Sequence, residues 1–237
     1  MLSNVSGLKV LALDTSSEWC SAALWLDGEV HTREENAGQR HSELILPMID
    51  ALLLQAGLTV RQMDAIAFGA GPGSFTGLRI ACGIAQGLAF AARLPVAPVV
   101  TLECLAQASG GERVLSALDA RMGEIYFAAY ERTGGGWRVV HEPVLCRPEQ
   151  APPVQGTWIG SGGGFAAHGS ALEKRYGTQL SAVCVDLFAH AREVAELAVP
   201  TVARGEVVDA AEAAPLYIRD KVALSVAERA ARRGARE

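Results

Sequence analysis

Apolar residues Val10-Leu11-Ala12-Leu13 form a short continuous run that stops at Asp14-Thr15-Ser16-Ser17. A run of that length bounded by polar turn residues predicts a buried strand. Ser21 to Leu26 and Glu29 to Glu35 predict two more strands, joined by Asp27-Gly28, a dipeptide that favours a tight hairpin. His41 to Gln55 is apolar at helical spacing and stops before Gly57, which predicts a helix with a glycine terminus. Asp64 to Phe68 predicts a strand, Ser74 to about Ala92 a helix, Val96 to Val100 a strand and Leu102 to Ala108 a helix. Gly110-Gly111 reads as a boundary.

The second half begins in the same order. Val114 to Leu118 predicts a strand ending at Asp119, Ile125 to Tyr130 a second, and Trp137 to Val140 a third after the turn Gly134-Gly135-Gly136. Thr157-Trp158-Ile159 predicts a strand leading to Gly160-Ser161-Gly162-Gly163-Gly164, and Phe165 to Tyr176 a helix. Asp186 is placed to cap another helix reaching about Arg204, and a last helix is expected from about Lys221. Leu13 to Leu24 also aligns with Leu118 to Ala129, each with an Asp at the end of a first strand. The repeated order suggests an internal duplication. Three antiparallel strands followed by alternating helices and strands describe a ribonuclease-H-like half. Two such halves describe an α/β protein of the actin, sugar-kinase and Hsp70 (ASKHA) architecture. The expected lobes are 1–109 and 110–220, with a helix and basic tail at 221–237.

Residues 69 to 87, GAGPGSFTGLRIACGIAQG, are the most informative stretch. A strand, a glycine-rich turn and a helix capped by Ser74 or Thr76 place bare backbone N–H groups at the positive end of a helix, a site suited to an anion. The alternative is a tight turn that lets the helix lie close on its sheet. The stretch is neither a P-loop, for want of a Lys, nor a G-x-G-x-x-G fingerprint, since Thr76 stands where the third Gly belongs. The helix is rich in small residues, among them Gly77, Gly83 and Gly87. Each helical Gly costs about 1 kcal/mol relative to Ala, which calls for an offsetting contact, most simply close approach of another backbone. Gly83 and Gly87 share one face.

Half of the 237 residues are hydrophobic, enough for a sizeable core. The net charge of −5 argues against a free-standing nucleic-acid binder. Cys20, Cys82, Cys104, Cys146 and Cys184 are scattered without C-x-x-C spacing, as expected of core thiols in a reducing cytoplasm. No apolar run reaches 18 residues and the N-terminus lacks an apolar leader, so neither a membrane span nor a signal peptide is expected.

Five motifs, in order, resemble the TsaB (YeaZ) family. They are Leu13-Asp14-Thr15-Ser16, His41 to Pro47, Gly69 to Ala89, Leu118 to Tyr126, and Pro215-Leu216-Tyr217-Ile218-Arg219. The resemblance runs to about Ala223. It implies a part in making threonylcarbamoyladenosine in tRNA. It also implies a heterodimer with a TsaD-like transferase that carries the metal, and a TsaE-like ATPase as a further partner. In that division of labour this chain is the scaffold, without catalytic residues or metal. It touches tRNA only through the complex and makes no membrane contact, and the free chain is either a homodimer or a monomer. TsaD-like proteins carry H-x-x-x-H after the fifth strand. Here Thr101 and Leu105 occupy those positions, and Leu cannot ligate a metal.

The resemblance places the subunit interface on the two first-lobe helices, at Leu46, Ile49, Leu53, Arg79, Gly83 and Gly87. Helix pairs from two chains would pack as a four-helix bundle. The candidate anion or nucleotide cleft comprises Asp14, Thr15, Ser16, Gly71, Gly73, Asp119, Gly160 and Gly162. ATP or ADP with magnesium is the nucleotide such a cleft would take, Asp14 and Asp119 flanking the phosphates. The alternative, favoured here, is that each Asp caps a turn through its own backbone. His41 reads as a helix-end histidine. Arg229, Arg232, Arg233 and Arg236 read as a solvated tail. A rival reading is an ATP-using small-molecule kinase of the same fold. A peptidase finds no nucleophile–base or metal-ligand pair.

Overall fold

The computed structural model describes residues 7–218. The helix expected from Lys221 and the basic tail lie outside the described residues. The first sheet is built from β1 (Lys9–Asp14), β2 (Trp19–Leu26), β3 (Glu29–Asn36), β4 (Ala65–Gly71) and β5 (Val96–Val100), in the order β3-β2-β1-β4-β5. The second is built from β6 (Arg113–Arg121), β7 (Glu124–Thr133), β8 (Gly136–Cys146), β9 (Trp158–Ser161) and β10 (Leu180–Cys184), in the order β8-β7-β6-β9-β10. In each sheet the first three strands are antiparallel and the last two parallel. The two sheets therefore share one topology, that of paired ribonuclease-H-like lobes.

Alternation along the strands sorts the helices into layers. Leu11, Leu13, Ile66 and Phe68 face α1 (His41–Ala56) and α2 (Phe75–Ala92). Val10, Ala12, Ala67 and Ala97 face the opposite way, onto α5 (Ala191–Ala203). In the second sheet Leu115, Ala117 and Phe127 face α4 (Gly163–Tyr176), and Val114, Ala128 and Tyr130 face α3 (Thr101–Ser109). Successive strand residues point to opposite faces, so each five-stranded sheet supplies two cores. α3 and α5 pack on each other between the sheets. Gln107 of α3 joins them polarly: its amide donates to Glu196 of α5 at 2.7 Å and accepts from the Trp137 indole of β8 at 3.0 Å.

Three features differ from the sequence expectation. β10 is an edge strand whose Ser181, Ala182 and Val183 are exposed, so it lacks the apolar run that marks a buried strand. α5 begins at Ala191: His190 precedes it, and its backbone N–H bonds back to the Glu193 carboxylate, so Asp186 is not the cap. α2 has 18 residues and a mean hydropathy of 1.3, long and apolar enough to cross a membrane by length and composition, although Arg79 interrupts the run. In this fold its inner residues Leu78, Ala81, Cys82, Ala85 and Ala89 are buried within its own lobe.

Past α5 the chain returns to the first lobe. Val208 forms a two-way antiparallel bridge with Val96. Ala213 accepts a hydrogen bond from Gln86, and the Leu216 N–H donates to Ala70. Residues 207–218 thus form a strap across the β5 edge and the flank of α2.

Candidate functional site

Two places merit attention: the cleft between the lobes and the outer face of α1 and α2. The cleft has a volume of about 470 Å³. Ser16, Gly73 and Ser74 line it from the first lobe, and Asp119, Arg121 and Gly163 from the second.

Asp14 ends β1 and is fully buried. Its Oδ1 accepts from the Ser16 backbone N–H and from the Ser16 hydroxyl, both at 2.9 Å. Its Oδ2 has no hydrogen-bond partner. Burial raises the carboxyl from 3.8 to about 7, since desolvation disfavours the charged form and outweighs the Ser16 hydrogen bonds that favour it. The side chain does not line the cleft; its Oδ2 occupies the space that a Cβ on Gly69 would take.

The signature glycines explain this enclosure. A Cβ on Gly69 would overlap the Asp14 carboxylate, one on Gly73 would lie 2.6 Å from the Ser16 carbonyl oxygen, and one on Gly77 would overlap the Thr15 carbonyl oxygen. The Thr15 hydroxyl donates to the Gly77 carbonyl at 2.7 Å, and the Ser74 hydroxyl caps α2 by accepting from Gly77. Gly71, at φ +118°, sits against Leu78 and the Leu216 carbonyl. The glycines let the start of α2 lie directly on Asp14-Thr15-Ser16.

Asp119 holds the equivalent place at the end of the β6 run, yet it is partly exposed. Its Oδ1 accepts from the Arg121 N–H at 2.9 Å and lies 3.2 Å from the His168 Nε2, while Oδ2 pairs with the Arg121 guanidinium at 3.1 Å. The second glycine loop packs as the first does. A Cβ on Gly160 would strike the Phe165 ring at 2.7 Å, and one on Gly162 the Ala117 carbonyl at 2.6 Å.

Thr101 and Leu105 are both buried; the Thr101 hydroxyl donates to the Pro72 carbonyl. Among the described residues no group of three His, Cys, Asp or Glu side chains is placed to hold a metal ion. His41 begins α1, and its Nε2 donates to the Ser17 carbonyl at 3.0 Å.

The outer face of the first lobe is different in kind. α2 exposes Phe75, Arg79, Gly83, Gly87 and Phe90 in one stripe, and α1 exposes Leu46, Pro47, Asp50 and Leu54 beside it. Leu54 and Phe90 are 82% and 79% exposed. Nothing lies within 4 Å of a Cβ built on Gly83 or Gly87. Ile49 and Leu53, by contrast, are buried in the lobe's own core. α1 is apolar on nearly every side, so the sequence did not separate its inward from its outward leucines. Tyr217 also reaches this face, from 138 residues along the chain.

Residues 30–225 match the family model described as TsaD, tRNA N6-adenosine threonylcarbamoyltransferase. The chain is 40% identical over 225 residues to the tRNA threonylcarbamoyladenosine biosynthesis protein TsaB of Escherichia coli K12, covering 91% of this chain and 96% of that protein. It is 40% identical over 233 residues to the protein of the same description from Haemophilus influenzae, covering 92% and 96%. The solved structure of YeaZ from Pseudomonas aeruginosa superposes with a TM-score of 0.82 at 41% identity, covering 89% of this chain and 99% of that one. With this agreement of sequence and fold, the chain belongs to the TsaB (YeaZ) family.

Proposed function

We propose that this chain serves in the synthesis of threonylcarbamoyladenosine in tRNA as a non-catalytic scaffold. It binds a TsaD-like transferase through the outer face of α1 and α2, and the pair presents a docking surface to a TsaE-like ATPase. The chain works in the cytoplasm, a setting that suits five free cysteines.

The observation that carries this reading is the open face at Gly83 and Gly87. Two helical glycines cost about 1 kcal/mol each, and nothing in the described chain approaches them. Leu46, Leu54, Phe75 and Phe90 on the same two helices are large apolar side chains exposed to solvent, the composition that marks a protein interface. Small residues on the stripe admit a second helix at close range, in bundle geometry. Gly77, in the first turn of the same helix, shows what a glycine looks like when its own chain uses it.

The cleft gives weaker support to a nucleotide-using enzyme. The volume is adequate, but Asp14 is sealed beneath the loop and Asp119 is paired with Arg121 and His168. Magnesium-nucleotide binding by the isolated chain in calorimetry would revive that alternative.

The test is reconstitution of tRNA threonylcarbamoylation with the TsaD-like, TsaE-like and donor-forming proteins of the same organism. Activity should require this chain. Activity that is unchanged when the chain is left out would remove the proposal.

A further inference from the structure

Arg79 is the one charged residue on the exposed stripe of α2. Its guanidinium carbon lies 3.9 Å from the centroid of the Phe75 ring, one turn earlier on the same helix. Its Nε donates to the Tyr217 hydroxyl at 3.0 Å, and the Tyr217 ring leans on Phe75 with centroids 6.0 Å apart. Among the described residues no carboxylate lies within ion-pair distance of Arg79. The residue also sits near the start of α2, where the helix dipole does not favour a cation.

An exposed arginine without an acidic partner ordinarily samples many rotamers, and ordering it on binding costs entropy. Here two aromatic residues hold it, one of them brought from far along the chain. The strap that supplies Tyr217 is itself anchored by the Val96–Val208 bridge and by the hydrogen bond from Leu216 to Ala70. The planar guanidinium keeps its terminal nitrogens for a fork-shaped acceptor, the geometry a carboxylate offers.

We infer that Tyr217 is a positioning residue that fixes Arg79 as a pre-ordered cation for a carboxylate of the docking partner, so that the partner surface includes the 207–218 strap as well as α1 and α2. The inference rests on the proposed α1–α2 interface. It specifies that the partner helix laid over Gly83 and Gly87 carries an Asp or Glu at the level of Arg79. The ion pair would lie at the end of an apolar contact and set the register of the two helices. Charged groups placed in this way contribute orientation and specificity as much as affinity.

The experiment measures binding of the full chain to the TsaD-like protein of the same organism by calorimetry, at two salt concentrations. Arg79→Ala should weaken binding about 30-fold and flatten its salt dependence. Tyr217→Phe, which removes only the hydroxyl, should weaken it by about 5-fold, and adding it to Arg79→Ala should cost nothing more, since the two act as one unit. Additive effects, or no effect from either change, overturn the inference. Gly83→Arg separates this from failure of the interface itself. If Gly83→Arg abolishes binding while Arg79→Ala and Tyr217→Phe bind as the parent does, the interface stands and the role of Arg79 falls. If Gly83→Arg binds normally, both fall.

Discussion

α2 and α4 occupy matching places in the chain order of the two lobes, each following a glycine loop, with α2 packed chiefly on β4 and α4 on β6. Their outer faces differ. α2 shows solvent Phe75, Arg79, Gly83, Gly87 and Phe90, whereas α4 shows Ala166, Ala167, Ser170, Glu173 and Lys174. The fold therefore makes no demand for an apolar outer stripe, since the same architecture is completed in the second lobe without one. The residues beneath the helices differ as well. Asp14 is buried with a carboxyl raised to about 7, while Asp119 opens to the cleft and pairs with two basic side chains. One lobe has closed around its carboxylate and carries large apolar side chains on its outer face; the other leaves its carboxylate open to the cleft and carries small and charged ones.

The largest expected effect concerns the buried carboxylate of Asp14. A group whose folded value is raised from 3.8 to about 7 leaves the folded state undisturbed below about pH 4. Stability then falls as pH rises through the window from 4 to 7 and levels off above it. The span corresponds to about 4 kcal/mol at about 1.36 kcal/mol per unit. Glu103 and Glu193, both raised to about 7 chiefly by burial, add slopes of the same sign. In urea unfolding followed across pH 4 to 8, Asp14→Asn should be visibly flatter than the parent.

Next come the glycines under the helices. Gly77→Val should destabilise by about 3 kcal/mol, because the Thr15 carbonyl has no room to yield. Gly163→Ala, where a Cβ meets nothing within 4 Å, should leave the midpoint of thermal unfolding within a degree or two of the parent. Equal losses in both would show that the space around the glycine, filled at Gly77 and open at Gly163, does not set the cost of substitution.

The smallest effect is of opposite sign. Gly83→Ala lies at an open helical position and should stabilise the free chain by about 0.5–1 kcal/mol, read as a rise in unfolding temperature. A loss of stability would mean that the helix face is engaged within its own chain.

Much of this architecture was legible from pattern. Apolar runs marked β1, β4, β6 and β9, and the hairpin at Asp27-Gly28 marked β2 and β3, because buried strands and tight turns leave local signals. β10 left none, being an exposed edge with no apolar run. The start of α5 was hidden because its cap is the backbone of His190 answered by Glu193, a less common pairing than an Asp cap. The candidate faces were half legible. Eight large apolar side chains in α1 announce a helix covered on more than one side, yet only the three-dimensional packing separates buried Ile49 and Leu53 from exposed Leu46 and Leu54. Gly77 and Gly83 look alike in sequence; one is filled by its own chain and the other is open. Tyr217 beside Arg79 is a contact across 138 residues that no local pattern encodes.

The central claim is that the bare face of α1 and α2, and not the inter-lobe cleft, is what this chain contributes. The most direct measurement is tRNA threonylcarbamoylation in the reconstituted system, with the chain supplied as the parent, as Gly83→Arg, or as Gly163→Trp, which fills the cleft. Each variant is first checked for parental unfolding temperature. The account predicts that Gly163→Trp restores activity to the level of the parent and that Gly83→Arg restores none. Activity retained by Gly83→Arg and lost in Gly163→Trp would contradict it and return the function to the cleft.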